Sequence, residues 1–313
     1  MRHAPGSPFA CGRTPALKLA FVTPRPEGGG DAAGWASELG RRLVARGHSV
    51  EILPVAPGTL ARNLDVLVFC SGPQAAHRVV RVVAGSPGPV TLVFDTPEEQ
   101  ARAAPGRGLA GEVIGPGFEL GPEPSGAVGS SALKGLGRYF FLSGPLDARD
   151  GYAVTVDAFL RAVRESRTPL TLVLAGRGRI SLGENVHVRQ LGELSDAAKG
   201  AAMRGAIAVL VPSRREALAP SALQAWSLGR PLVAHGPSEV MRGVVKRSSG
   251  GVACATREEL AAALEVLATD PVLADELGRQ GREYLAAHHA WPVVVERWEG
   301  LLARVAAQRG EAA

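Results

Sequence analysis

Short apolar runs recur along this chain, each followed by a turn and then an amphipathic segment, and no other feature constrains its fold so tightly. Leu17–Thr23 (LKLAFVT) is the first such run. A glycine turn at Gly28, Gly29 and Gly30 follows it, and Asp31 then opens a helix to about Arg46 with Trp35, Leu39 and Leu43 on one face. Gly47 ends that helix before the run Val50–Leu53. Val66–Cys70 and Val90–Phe94 come next, with a helix predicted around Ala75–Val83, and Glu112–Ile114 is a weaker strand candidate. The runs are continuously apolar rather than alternating, which marks strands buried on both faces. That requires a mostly parallel sheet covered by helices on its two sides.

The stretch Gly115–Leu133 is rich in Gly, Pro and Ser and reads as a linker. The pattern then restarts. Strands are predicted at Tyr139–Ser143, Leu170–Ala175, Val186–Val188, Ala208–Val211 and Leu232–Ala234. Helices are predicted at Tyr152–Arg164, Ser195–Met203, about Ser221–Leu228 and about Ser238–Val245. The end is helical from Arg257 to about Gln308, with breaks near Pro271 and before Trp291. The expectation is two doubly wound domains in tandem, which suits 313 residues better than a single core.

Composition narrows the function classes. The net charge of +5 includes Arg41, Arg42 and Arg46 on one helix, and Arg214 and Arg215 beside a later turn. Without interleaved aromatics these read as solvated basic faces and not as a nucleic-acid surface. Cys11, Cys70 and Cys254 lie far apart, with neither disulfide nor zinc spacing, so no metal is expected and a reducing cytoplasm is. No signal-peptide core occurs in Met1–Ala16, and no apolar run reaches membrane-spanning length. His48 reads as structural at a strand start, His288 and His289 as solvent-facing, and Trp291 and Trp298 as packing residues.

Ligands of open α/β sheets bind beyond the carboxyl ends of the strands. The turn at Gly28–Gly30, the turn at Gly176–Gly178, Glu216, and His235 with Gly236 all follow predicted strands. Glycine lets a ligand approach the backbone, and helix N-termini favour phosphate there. Neither glycine turn completes G-x-G-x-x-G, and no Walker lysine is present. A nicotinamide dehydrogenase and a P-loop enzyme are therefore set aside.

The segment Val209–Gly236 (VLVPSRREALAPSALQAWSLGRPLVAHG) resembles the donor-binding core of the family 4 retaining glycosyltransferases, which have the GT-B fold. LAFVTPRPEGGG with LVARGHSVEIL is similar to that family's first strand, glycine loop and second strand. VIGPGFEL resembles its hinge, FFLSGPLDARDG its first carboxy-terminal strand and loop, and NVHVRQLGELSD its base-binding region. The resemblance implies two tandem Rossmann-like domains, the first of them reduced. It divides the chain into a tail at 1–16, an acceptor-side domain at 17–120 and a linker at 121–137. A nucleotide-sugar-binding domain at 138–290 follows, then a terminal helix at 291–313 that can pack back on the first domain.

By that resemblance Glu216 accepts hydroxyls of the donor sugar, and Ala217 and Leu218 offer backbone amides to the diphosphate. Gln224 stands where the family holds the ribose with a carboxylate, and Gly28, Gly29, Gly176, His235 and Gly236 complete the donor side. Asp95 and Glu216 are the catalytic candidates. The implied reaction is transfer of a sugar from a nucleotide sugar to an acceptor hydroxyl with retention, and without a metal or other cofactor. The acceptor would be a glycan, lipid or small molecule; peripheral membrane contact and a partner glycosyltransferase fit the same picture.

The chain departs from the family pattern at several places. Pro145 and Asp150 replace an arginine and a lysine that face the diphosphate, Pro220 removes one amide, and Phe94 stands where a histidine is usual. These departures keep a second reading open, a catalytically impaired protein that binds nucleotide sugar as a regulatory or partner subunit.

Overall fold

A computed structural model of the chain describes residues 16–23, 31–54, 66–69, 92–103, 111–121, 135, 137–144, 146, 151–165, 169–181, 186–213 and 217–311. In chain order the elements are β1 (Lys18–Thr23), α1 (Asp31–Ala45), β2 (Ser49–Pro54), β3 (Val66–Phe69), β4 (Leu92–Phe94), α2 (Pro97–Ala103) and β5 (Gly111–Val113). They continue as β6 (Tyr139–Ser143), α3 (Tyr152–Glu165), β7 (Thr171–Ala175), β8 (Val188–Gln190), α4 (Asp196–Gly205), β9 (Val209–Pro212), α5 (Pro220–Ser227) and β10 (Leu232–His235). The last are α6 (Glu239–Ser248), β11 (Gly251–Cys254), α7 (Arg257–Thr269), α8 (Pro271–His288) and α9 (Trp291–Glu311). They form two compact units, Met1–Leu92 with Val295–Ala313, and Val93–Val294.

The first unit carries a parallel sheet in the order β2-β1-β3. Leu19, Ala20 and Phe21, consecutive in β1, are all buried, as an apolar run covered on both faces requires. Leu39 and Leu43 of α1 are fully buried. Trp35 meets Trp298 of α9 with ring centroids 5.8 Å apart, so these tryptophans pack the core as expected. His48 is also structural: its Nδ1 accepts from the Leu17 amide at 3.3 Å and its Nε2 lies 3.7 Å from Glu299.

The second unit is built on a six-stranded sheet, β11-β10-β9-β6-β7-β8, in which every adjacent pair is parallel. Successive side chains of each strand go to opposite faces. On β6, Phe140 and Leu142 enter the core under α3 and α7, while Tyr139 and Phe141 enter the core under α4, α5 and α6. Local chemistry sets the helix starts. Ser195 caps α4, Ser238 caps α6, Asp270 caps α8 ahead of Pro271, and Thr256 with Glu259 forms a full capping box on α7.

The compact units part between Leu92 and Val93. The reason is packing. Glu98 of α2 makes a two-pronged ion pair with Arg247 of α6, and Arg102 approaches Glu239. Residues 114–121 are likewise fixed: the Phe118 amide donates to the His289 carbonyl at 2.7 Å, and Arg282 donates to the Gly121 carbonyl at 2.8 Å. His289, expected at the surface, is buried with its Nδ1 3.1 Å from the Pro116 carbonyl oxygen. Gly115 permits this, because a side chain there would collide with the imidazole. No helix among the described residues is long and apolar enough to cross a membrane.

Candidate functional site

In a parallel sheet all strands deliver their carboxyl ends to one edge, where the following helices begin. In the second unit that edge is tied together by backbone hydrogen bonds. The Gly144 amide donates to the Ala175 carbonyl (3.1 Å), Leu146 to Arg177 (2.7 Å) and Gly176 to Gly192 (2.7 Å). On the other side of β6, Ser213 donates to His235 (2.9 Å), Gly236 to Cys254 (3.0 Å) and Ser238 to Ser213 (3.0 Å). The result is a rim of preorganised backbone on each side of β6.

Two glycines are indispensable to this rim. Gly176 has φ +139°, and a Cβ there would overlap the Gly144 carbonyl oxygen. Gly236 has φ +136°, and a Cβ would stand 2.9 Å from the Ser213 carbonyl oxygen. Both combine a backbone conformation that side chains avoid with close backbone approach. The sequence named both residues as ligand-facing, and the structure puts both at the rim.

The remaining donor-side residues occupy different settings. Ala217 is exposed just before α5, whereas Leu218 is buried in the core under that helix. A contact from Leu218 to a ligand would therefore run through its backbone. Ala219 is the N-cap of α5 without a side-chain cap bond, and Pro220 takes N1, where a missing amide costs least. Gln224 is half-buried within α5. Glu216, Gly28 and Gly29 lie outside the described residues, as do Pro145 and Asp150.

His235 ends β10 and is 6% exposed, level with Pro212 of β9 and Cys254 of β11. Its Nδ1 lies 3.0 Å from Thr155 Oγ1 of α3. Burial, and secondarily the charge of Arg257, lowers its pKa below the ordinary histidine value. Cys254 beside it is pushed up to about 11 by burial, with Glu259 adding in the same direction, so it is a protonated thiol at neutral pH. Asp95 lies ahead of α2, where its amide donates to Glu99 Oε2 at 3.0 Å. Among the described residues no group of three or more His, Cys, Asp or Glu side chains gathers as metal ligands would.

Sequence reasoning missed Thr155, which a helical pattern reads only as a buried small residue, and Ser143. Ser143 ends β6 with its Oγ buried and without a hydrogen-bond partner among the described residues. Only the sheet register reveals that Ser143 stands at the rim.

Comparison with known proteins gives this arrangement its context. Residues 137–270, which carry the rim, match the family described as Glycosyl transferases group 1. The whole fold is that of GT-B glycosyltransferases. It superposes on a glycosyltransferase from Rickettsia africae ESF-5 with TM-score 0.71 at 11% identity, covering 93% of this chain and 99% of that one. Sucrose-phosphate synthase from Thermosynechococcus elongatus gives TM-score 0.67 at 15% identity, with 93% and 99% covered. Anabaena HepE, solved in complex with UDP-glucose, gives TM-score 0.64 at 14% identity, with 92% and 100% covered.

Proposed function

We propose that this chain, a GT-B protein whose residues 137–270 match the group 1 glycosyl transferases, binds a nucleotide-activated sugar at the carboxyl rim of its second unit and transfers the sugar to an acceptor hydroxyl. The observation that carries the reading is the laced rim, with Gly176 and Gly236 bringing backbone against backbone where a diphosphate would lie. Helix N-termini gather at such an edge, and their amides and dipoles favour a group that gains negative charge as it leaves.

In this reading Glu216 takes sugar hydroxyls, Gln224 takes the ribose, and the backbone of Ala217 and Leu218 faces the diphosphate. Transfer proceeds with retention and draws on fixed dipoles in place of a metal. HepE, solved with UDP-glucose, supports testing uridine nucleotides first.

Calorimetric titration with UDP, GDP, ADP and their sugar conjugates tests the proposal. It predicts saturable binding of at least one conjugate, and Glu216→Ala should weaken the conjugate more than the bare diphosphate. Silence across the panel, or equal weakening of both, would refute it.

A further inference from the structure

His235 and Thr155 form a buried pair whose proton positions can be worked out. On β10 the side chain of Val233 lies in the core under α3 and α7, so His235, two residues on, projects to that same face. Thr155 meets it there from one turn inside α3 and is 1% exposed. The amide of Thr155 is spent on the Gly151 carbonyl at 3.1 Å. Among the described residues the Thr155 hydroxyl has His235 Nδ1 as its side-chain partner, and His235 Nε2 has none.

A hydroxyl sealed from water must place its one proton on an acceptor, and Nδ1 is the acceptor in reach. Thr155 therefore donates to Nδ1, and the ring proton of the neutral histidine sits on Nε2. The opposite tautomer would aim Nδ1–H at the hydroxyl oxygen and leave the hydroxyl proton buried with no acceptor. That is disfavoured by about tenfold or more.

We propose that Nε2–H of His235 donates a hydrogen bond to a phosphate oxygen of the bound nucleotide, with Thr155 as the positioning residue that fixes the donor tautomer. This rests on the reading of the rim as the nucleotide-sugar site. The start of α3, with no acidic residue in its first turn, favours an anion. His235 lies in register with Cys254, three residues ahead of Arg257 and the start of α7, and Thr155 places it near the start of α3. The N-terminal dipole of α3 thus biases this end of the sheet toward negative charge, whereas at α7 Thr256 and Glu259 already cap the first amides and Arg257 pairs with Asp157 at 3.1 Å. A neutral N–H serves an oxyanion there without the cost of burying an imidazolium.

Two measurements test the pair. Long-range proton–nitrogen correlation spectra of protein labelled with 15N-histidine, with His235 assigned by its loss in His235→Gln, report the tautomer without any ligand. The expected spectrum shows an Nε2–H ring in the wild type and a mixture in Thr155→Val. A wild-type ring protonated at Nδ1 overturns the inference whether or not nucleotide binds. The second measurement is binding of UDP by calorimetry and of uridine by ligand-detected NMR. His235→Phe should weaken UDP about 10-fold or more and leave uridine unchanged, because the lost bond is to phosphate. His235→Gln, which keeps an amide donor near the Nε2 position, should recover most of that loss. UDP affinity unmoved by His235→Phe, or UDP and uridine weakened alike, overturns the phosphate contact. If wild-type protein binds none of the diphosphates, the donor-site reading fails and the phosphate contact with it, while the tautomer spectrum still decides the role of Thr155.

Discussion

Replacing Gly176 by alanine should disable the rim by a route that can be sized in advance. The residue holds φ +139°, where a side chain costs about 1–3 kcal/mol in backbone strain. The new Cβ would also overlap the Gly144 carbonyl oxygen, and overpacking of this kind costs a further 1–3 kcal/mol or so. The two penalties share one relaxation, a separation of the β6 and β7 ends, so about 3 kcal/mol is expected in total. Gly200, inside α4 with open space around it, is the control. Alanine there meets nothing and should stabilise the helix by about 0.5–1 kcal/mol. Urea unfolding followed by circular dichroism reads both changes, and UDP titration of the folded variants reads the rim. Gly176→Ala should lose stability and nucleotide affinity together, whereas Gly200→Ala keeps its affinity. A Gly176→Ala protein with wild-type midpoint and wild-type binding would refute the close-approach argument.

Other consequences can be checked separately. Trp226 is fully buried and donates Nε1–H at 2.8 Å to the Gly250 carbonyl, which also accepts from the Leu232 amide at 3.0 Å. Trp226→Phe therefore removes one of two bonds and some buried volume, and should cost about 1–3 kcal/mol in urea unfolding; a loss below about 0.5 kcal/mol would contradict the packing and the bond. The Glu98–Arg247 pair is partly exposed, and Glu98→Gln should cost at most about 1 kcal/mol at low salt. That cost should fade toward 1 M NaCl, and an unchanged cost at high salt would count against an electrostatic origin. His235 has a folded pKa below its unfolded value of 6.5, so its contribution to stability is full above that pH and is lost as the pH falls, since the unfolded chain binds the proton first. His235→Gln should flatten that part of the melting-temperature profile; an identical acid slope in both proteins would show that other groups set it. Cys254, buried with its pKa near 11, should alkylate at pH 8 only as fast as the protein opens, as peptide mass mapping would reveal.

Much of the second unit was legible because buried parallel strands and capped helices write strong local signals. Tyr139–Ser143 is a strand at the residues predicted, since YFFLS has no alternative to burial on both faces. Ser195 and Ser238 cap helices where a hydroxyl precedes an amphipathic run. The failures are tertiary in origin. β11 went unread because Gly250 and Gly251 shorten its apolar run to VAC, and it forms by pairing along β10. β8 was expected at Val186–Val188 and lies at Val188–Gln190, with Val186 85% exposed. Pairing with β7 sets that register, which residue type alone does not. His289 was misplaced because helical position counts neighbours along the chain, whereas its burial comes from Pro116, far away in sequence. The place of Gly176 and Gly236 at strand ends was legible from the apolar runs before them. The Thr155–His235 pair was not, because it joins residues 80 apart.

The central claim is that nucleotide binds at the carboxyl rim of the second unit. Amide chemical-shift mapping during titration with UDP-glucose tests it most directly. The account predicts that the largest changes fall on Gly144, Gly176, Gly192 and Gly236, with His235 moving alongside them. Changes confined to the first unit, or spectra that do not move at saturating ligand, would contradict it.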